Sequence, residues 1–473
     1  QRARERNIII PTFEEQKFPS KMVPVSIKDE LSSISLWEVH PRNLFRITWK
    51  NEPKEFGGAF SNITNYIELP PELTGVEPRI IALVGKWFPT GSHKVGATFG
   101  CLVPRLVTGQ FDPISQKAIW PSTGNYCRGG AYDATLLACE SVAILPEEMS
   151  RERFEWLNTV AGEVIATPGG ESNVKEIFDK SNELKRARED KVVVFNQFDE
   201  FGNHLWHYEV TGNAMKEVLD KELKGDTYRG VCLTTGSAGT IGCGDFLKEH
   251  YPTSKIAAGE SLQCPTLLLN GYGYHRIEGI GDKHVPWIHN VKNTDMVIAI
   301  DDRDCMNLVR LFNEPVGHAY LRDQGVSEDL VSQLHLLGIS SIANVLMAIK
   351  FAKYYELTRK DVILTVFTDS MELYGSRVKE LRAEYGDYNE RTAAADFHRS
   401  LHGIRTDSMA ELRYIERKRI HHLKYFTWIE QQGKSTEELD RQWHDYDNYW
   451  RSINMLTSKI DMLIEEFNEK VGL

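Results

Sequence analysis

Gly230-Val231-Cys232-Leu233-Thr234-Thr235-Gly236-Ser237-Ala238-Gly239-Thr240 is a short apolar run that stops abruptly at a turn of hydroxyls and glycines. A helix-like stretch, residues 241–250, follows at once. A buried strand, a polar turn and a helix start in that order make one half of a βαβ unit. The same grammar recurs outward in both directions. Strands are predicted at 80–84, 117–120, 141–145, 163–166, 192–195, 255–258, 296–300 and 362–367, with helical pattern between most of them. A largely parallel sheet from about 79 to 376 is the expected result, and no repeat of 20 to 50 residues points to a solenoid or propeller.

Four strand-end turns carry candidate chemistry, and ligands of α/β sheets collect at such ends. In the first, Gly236 and Gly239 let the backbone approach a phosphate, while Ser237, Thr240 and the amides at the helix start supply donors. The turn lacks the lysine of a P-loop and the G-x-G-x-x-G spacing of a dinucleotide site, so a monoester phosphate suits it better than a nucleotide. The second, Pro89-Thr90-Gly91-Ser92-His93-Lys94, ends in a lysine followed by the small residues Val95, Gly96 and Ala97. Burial there would lower the ammonium pKa and free the amine for imine formation. The third, Pro121-Ser122-Thr123-Gly124-Asn125, is either an ordinary cap or a clasp of backbone amides for a carboxylate. The fourth is Thr368-Asp369-Ser370, continued to Tyr374.

Composition bounds the rest. The chain has 473 residues, 41% hydrophobic and 26% charged, as expected of a globular protein with one large or two ordinary cores. With 56 basic and 67 acidic residues the net charge is -11, which disfavours nucleic acid and anionic membrane as partners. Seven scattered cysteines form neither a C-x-x-C pair nor a metal-ligand cluster, so no metal is expected and a reducing cytoplasm fits best. No apolar run reaches the roughly 20 residues of a membrane span, and the start lacks a signal peptide's apolar stretch. Residues 1–62 read as an extension wrapping the core. Residues 391–473 read as a helical hairpin, with a capping box at Ser435 and Glu438 and an apolar stripe from Leu439 to Phe467 that serves either core packing or a dimer contact.

The order of the four turns resembles the β-family, or fold type II, of pyridoxal-phosphate enzymes. Shorter stretches point to its cysteine synthase and cystathionine β-synthase branch: Ala143-Ile144-Leu145-Pro146-Glu147, Ala161-Gly162-Glu163-Val164-Ile165, Glu278-Gly279-Ile280-Gly281 with Val285-Pro286, and Asp369-Ser370 with Tyr374. The resemblance implies a tryptophan synthase β-like α/β core of two parallel-sheet subdomains over 63–390, the smaller at about 98–205. It implies pyridoxal 5'-phosphate held as a Schiff base on Lys94, with Asn125 on the ring oxygen, Gly236, Ser237, Ala238, Gly239 and Thr240 on the phosphate, and Ser370 on the ring nitrogen. Ser122, Thr123, Gly124 and Asn125 would clasp the substrate carboxylate. His93 is similar to a phosphate-supporting histidine of tryptophan synthase, or else is a hydrogen-bonded core histidine. Arg128 would reach a second acidic group of a substrate or turn outward to a salt bridge. The implied activity is β-replacement or β-elimination on a serine- or cysteine-derived amino acid through an aminoacrylate. A serine or threonine dehydratase and a catalytically silent interaction protein are the alternatives. A cytoplasmic homodimer is implied in the same way.

Overall fold

In the computed structural model, which describes residues 1–52, 59–170 and 173–472, eleven strands form two sheets. They are β1 (Tyr66–Leu69), β2 (Arg79–Val84), β3 (Lys117–Pro121), β4 (Ser141–Pro146), β5 (Glu163–Thr167), β6 (Val192–Val194), β7 (Thr227–Thr234), β8 (Lys255–Ser261), β9 (Met296–Ile300), β10 (Asp361–Phe367) and β11 (Met409–Glu411). The larger sheet runs β1-β2-β10-β7-β8-β9-β11 and the smaller β5-β4-β3-β6. Neighbours are parallel throughout the smaller sheet and from β2 to β9 in the larger. All seven residues of β10 are buried, as a strand covered by helices on both faces must be.

Every strand expected from the sequence is present, most of them one to three residues longer. Two were not anticipated. β1 and β11 are short and antiparallel, and they close the two edges of the larger sheet. Their side chains alternate between buried and exposed or lie half-buried, so neither leaves the apolar run by which the inner strands were recognised.

The extension is tied into the core. Thr12 Oγ1 accepts from Glu15 N while Glu15 Oε2 accepts from Thr12 N, a capping box that starts the helix Phe13–Lys17. That helix delivers Phe13, fully buried, edge-on to Phe99 at 6.1 Å between ring centres. Trp49 donates to Thr211 Oγ1 at 3.0 Å. The two ends of the chain also meet: Asp461 Oδ1 accepts from Phe13 N at 2.7 Å, and Asn468 exchanges hydrogen bonds with the backbone of Ile10.

The C-terminal region is helical, with β11 inserted near its start. Ser435 Oγ accepts from Glu438 N, but the Glu438 carboxylate turns away to accept from Tyr449 OH and Trp287 Nε1, so the box is half made. The apolar stripe is broken as well. Thr436–His444 ends at Asp445, whose φ of -122 and ψ of 65 leave the helical region, and a last straight helix begins only at Thr457–Val471. Lys424 is buried beneath this region and donates to Trp287 O, His289 O and Gln442 Oε1.

Candidate active site

Lys94 opens the helix Lys94–Val107, directly after the turn that follows β2. The turn is strained, with Thr90 at φ 68, and Gly91 at φ 72 admits the edge of Trp37, which a Cβ there would meet at 2.6 Å. Lys94 Nζ donates to Ser237 Oγ at 3.2 Å, which joins the lysine turn to the glycine-rich turn after β7. Burial lowers the ammonium pKa to about 8, against the opposing pull of the Asp282 carboxylate. Asp282 is itself buried, and burial pushes its carboxyl up to about 7 while the Lys94 charge draws it back.

The glycine-rich turn is held from both sides. Asn344 Oδ1 accepts from Thr234 N at 2.8 Å, and Asn203 Nδ2 donates to Ser237 Oγ at 2.9 Å. Ala238 adopts a left-handed φ of 59, and a Cβ on Gly239 would sit 2.0 Å from Asn203 Oδ1. A Cβ on Gly236 would meet Gly279 O at 2.9 Å. A small cavity lies here, lined by His93, Lys94, Gly236, Ala238, Thr240 and Thr368 among others. His93 is fully buried, its Nε2 3.3 Å from Thr368 Oγ1, its ring 4.9 Å from that of His207. Burial drives both imidazoles far below their usual pKa, so both are neutral.

The turn after β3 lies against the turn after β10. Asn125 Nδ2 donates to Asp369 Oδ2 at 2.5 Å, and Tyr374 OH donates to the same oxygen at 2.6 Å. Ser122 Oγ accepts from Gly124 N and from Gln197 Nε2, both at 3.2 Å. Arg153 spans the group: it donates to Thr123 O and Tyr374 OH, each at 2.9 Å, and pairs with Glu278 at 3.0 Å. A Cβ on Gly124 would strike Arg153 Nη1 at 2.1 Å, so this glycine makes room for the guanidinium. Burial raises the Asp369 carboxyl while Tyr374, Arg153 and Asn125 oppose the rise. Ser370 is buried at the next position, its carbonyl accepting from Leu373 N.

The residues singled out in the four motifs therefore fall at strand-end turns and the helix starts that follow them, while Arg128 lies within the helix Asn125–Leu136. Asn125 is held by Asp369, a contact the sequence reading did not anticipate. Among the described residues Arg128 makes no outward salt bridge: it is 1% exposed and stacks on Trp37 and Trp156. Arg153 and Asp282 escaped sequence reading, and Thr368 lay in the fourth turn without a role assigned to it. Arg153 lies in the charged run Arg151-Glu152-Arg153, which looks like an exposed helix face, and Asp282 follows the quoted Glu278–Gly281 stretch by one position.

Residues 83–321, half of the chain, match the family described as pyridoxal-phosphate dependent enzyme. Cysteine synthase of Staphylococcus aureus is 29% identical over 287 residues, 60% of this chain and 84% of that protein. Cystathionine beta-synthase of Saccharomyces cerevisiae is 26% identical over 317 residues, covering 64% of this chain but only 58% of the yeast protein. A hydrogen sulfide-producing enzyme of Fusobacterium nucleatum superposes with a TM-score of 0.55 at 25% identity, over 65% of this chain and 95% of that one. O-acetylserine sulfhydrylase isoform 3 of Entamoeba histolytica gives a TM-score of 0.58 at 22% identity, over 71% and 92%, a likeness of fold. The donor set suits the cofactor of that family. A depressed buried amine stands one hydrogen bond from a glycine-rich turn at a helix start, and buried Asn125 Oδ1, Asn203 Oδ1 and His93 Nδ1 have no protein partner among the described residues. The chain belongs to the pyridoxal-phosphate dependent enzymes.

Proposed function

We propose that the chain performs β-replacement or β-elimination on a serine- or cysteine-derived amino acid, with pyridoxal phosphate held on Lys94. The observation that carries this reading is the half-buried Lys94, its amine lowered by desolvation to a pKa of about 8 and set 3.2 Å from Ser237 Oγ in the Gly236–Thr240 turn. When bound, the cofactor supplies an aldehyde that captures amines and a conjugated ring that takes up charge from the substrate's Cα.

The chain's own residues do the rest. Gly236, Ser237, Ala238, Gly239 and Thr240 bind the phosphate, with neutral His93 beneath the lysine turn. Asn125 faces the ring oxygen and is oriented by Asp369. Ser370 faces the ring nitrogen. Ser122, Thr123, Gly124 and Asn125 clasp the substrate carboxylate through backbone amides and hydroxyls. Lys94 Nζ, once freed by substrate, holds and returns the Cα proton as general base and acid, and Asp282 stabilises its protonated form. Arg153 fixes the backbone of the clasp by donating to Thr123 O and is itself held by Tyr374 OH.

Support for this branch comes from the cysteine synthase and cystathionine beta-synthase relatives and from the hydrogen sulfide-producing neighbour. Among the described residues no helix is long and apolar enough to cross a membrane. All seven cysteines are buried free thiols, which supports a cytoplasmic setting, and a homodimer completes the reading. Product analysis with serine, cysteine, O-acetylserine and homocysteine tests it. Thioether or sulfide products are expected. Ammonia and a keto acid from serine alone would favour the dehydratase, and no turnover of any of the four would favour the silent protein.

A further inference from the structure

Arg128 is the unexplained charge of the site. It sits in the first turn of the helix Asn125–Leu136, three residues beyond Asn125 in the carboxylate clasp, and is 1% exposed. Its Nε and Nη1 are buried without a hydrogen-bond partner among the described residues, and no carboxylate pairs with it there. Its guanidinium lies 5.4 Å from the ring centre of Trp37 and 4.7 Å from that of Trp156. Aromatic faces attract a cation but leave its N–H donors unmet.

The surroundings do not neutralise it. Arg153, the nearest other cation of the cluster, repels it and helps lower its pKa to about 10, although burial is the larger cause. Arg153 is committed to Glu278, which also pairs with Arg377. Asp369 accepts from Asn125 and Tyr374, and its carboxyl is pushed toward the neutral form by burial. Arg377 is balanced by Glu380 as well, which leaves Arg128 and Arg153 with Glu278 and a weakened Asp369. Trp37 carries the arrangement to the lysine turn, because its ring edge abuts Gly91, three residues before Lys94. A guanidinium presents a planar fork of donors suited to an oxyanion.

We infer that Arg128, framed by Trp37 and Trp156, binds a second anionic group on the amino acid, carried on its side chain or leaving group, so that the enzyme selects dianionic substrates. This rests on the reading of the site given above. Trp37 belongs to the N-terminal extension, which thereby takes part in substrate choice. The shared chemistry is an oxyanion, whether phosphate, sulfonate or carboxylate.

The test compares O-phospho-L-serine, L-cysteate and L-aspartate with O-acetyl-L-serine and L-serine, titrated into the holoenzyme and followed by cofactor absorbance. Trp fluorescence on the cofactor-free protein gives a second readout. Wild type should bind at least one of the anionic three more tightly than the neutral pair, and which of them wins identifies the oxyanion. In Arg128→Gln that preference ratio should fall about 10- to 100-fold, the scale of one or two hydrogen bonds to a charge. Arg128→Lys should restore part of it. A wild type without preference overturns the inference even if the variants misfold. Equal losses for all five ligands overturn it too, since Arg128 would then serve the α-carboxylate. Absorbance that no amino acid perturbs would sink the underlying activity instead, while fluorescence on the cofactor-free protein would still decide the role of Arg128.

Discussion

Asp282→Asn should move the titration of Lys94 downward. With a pKa of about 8, Lys94 has about a tenth of its amines neutral at pH 7, roughly 300-fold more than at the ordinary 10.5. Burial sets that depression, and Asp282 limits it by stabilising the ammonium. Asp282 titrates near 7, so it is mostly ionised where the amine titrates. Replacing it with a neutral isostere removes a favourable charge and leaves the burial, and an opposite charge at close range is worth about one pKa unit or more. The free-amine fraction at pH 7 should therefore rise several-fold. Reductive methylation of the cofactor-free protein from pH 6 to 10, with the Lys94 peptide quantified by mass spectrometry, reads this directly. The wild-type rate should rise with a midpoint near 8, and the variant midpoint should lie lower. A wild-type midpoint near 10.5 would refute the burial argument. A variant midpoint equal to or above that of wild type would refute the role of Asp282.

Other consequences are separable. Gly239→Ala places a methyl 2.0 Å from Asn203 Oδ1, which must release Ser237, so cofactor affinity should fall tenfold or more, about 1.4 kcal/mol, while circular dichroism is unchanged. Phe13→Ala removes a fully buried ring from the contact with Phe99, and chemical denaturation should show a loss of about 3–5 kcal/mol; a loss under about 1 kcal/mol would mean that the extension is not part of the core. Lys424→Met leaves three acceptors beneath Trp287 unmet and should lower the denaturation midpoint, with a cost of about 2–4 kcal/mol.

Burial on both faces made the inner strands legible, because β9 is apolar throughout and β10 is apolar at Val362, Ile363, Leu364, Val366 and Phe367. β1 and β11 were not, since an edge strand of three or four residues with exposed positions carries no such run. The turns announced themselves through glycine and hydroxyl residues at strand ends, and Lys94 stood out by its small neighbours. Partners distant in sequence were the illegible part. Nothing local pairs Asp369 with Asn125, 244 residues away. The aromatic frame of Arg128 and the buried pairing of Arg153 were illegible because only the tertiary fold supplies Trp37, Trp156, Tyr374 and Glu278 around them. The tail read as one stripe because periodicity continues across Asp445 although the backbone does not.

The central claim is that Lys94 holds the cofactor. Purified protein incubated with pyridoxal phosphate should develop an absorbance band near the visible–ultraviolet boundary. Borohydride should fix the cofactor to the peptide containing Lys94, and Lys94→Ala should lose both band and label. A variant that keeps the band and turns over substrate, or a label found on another lysine, would contradict the account.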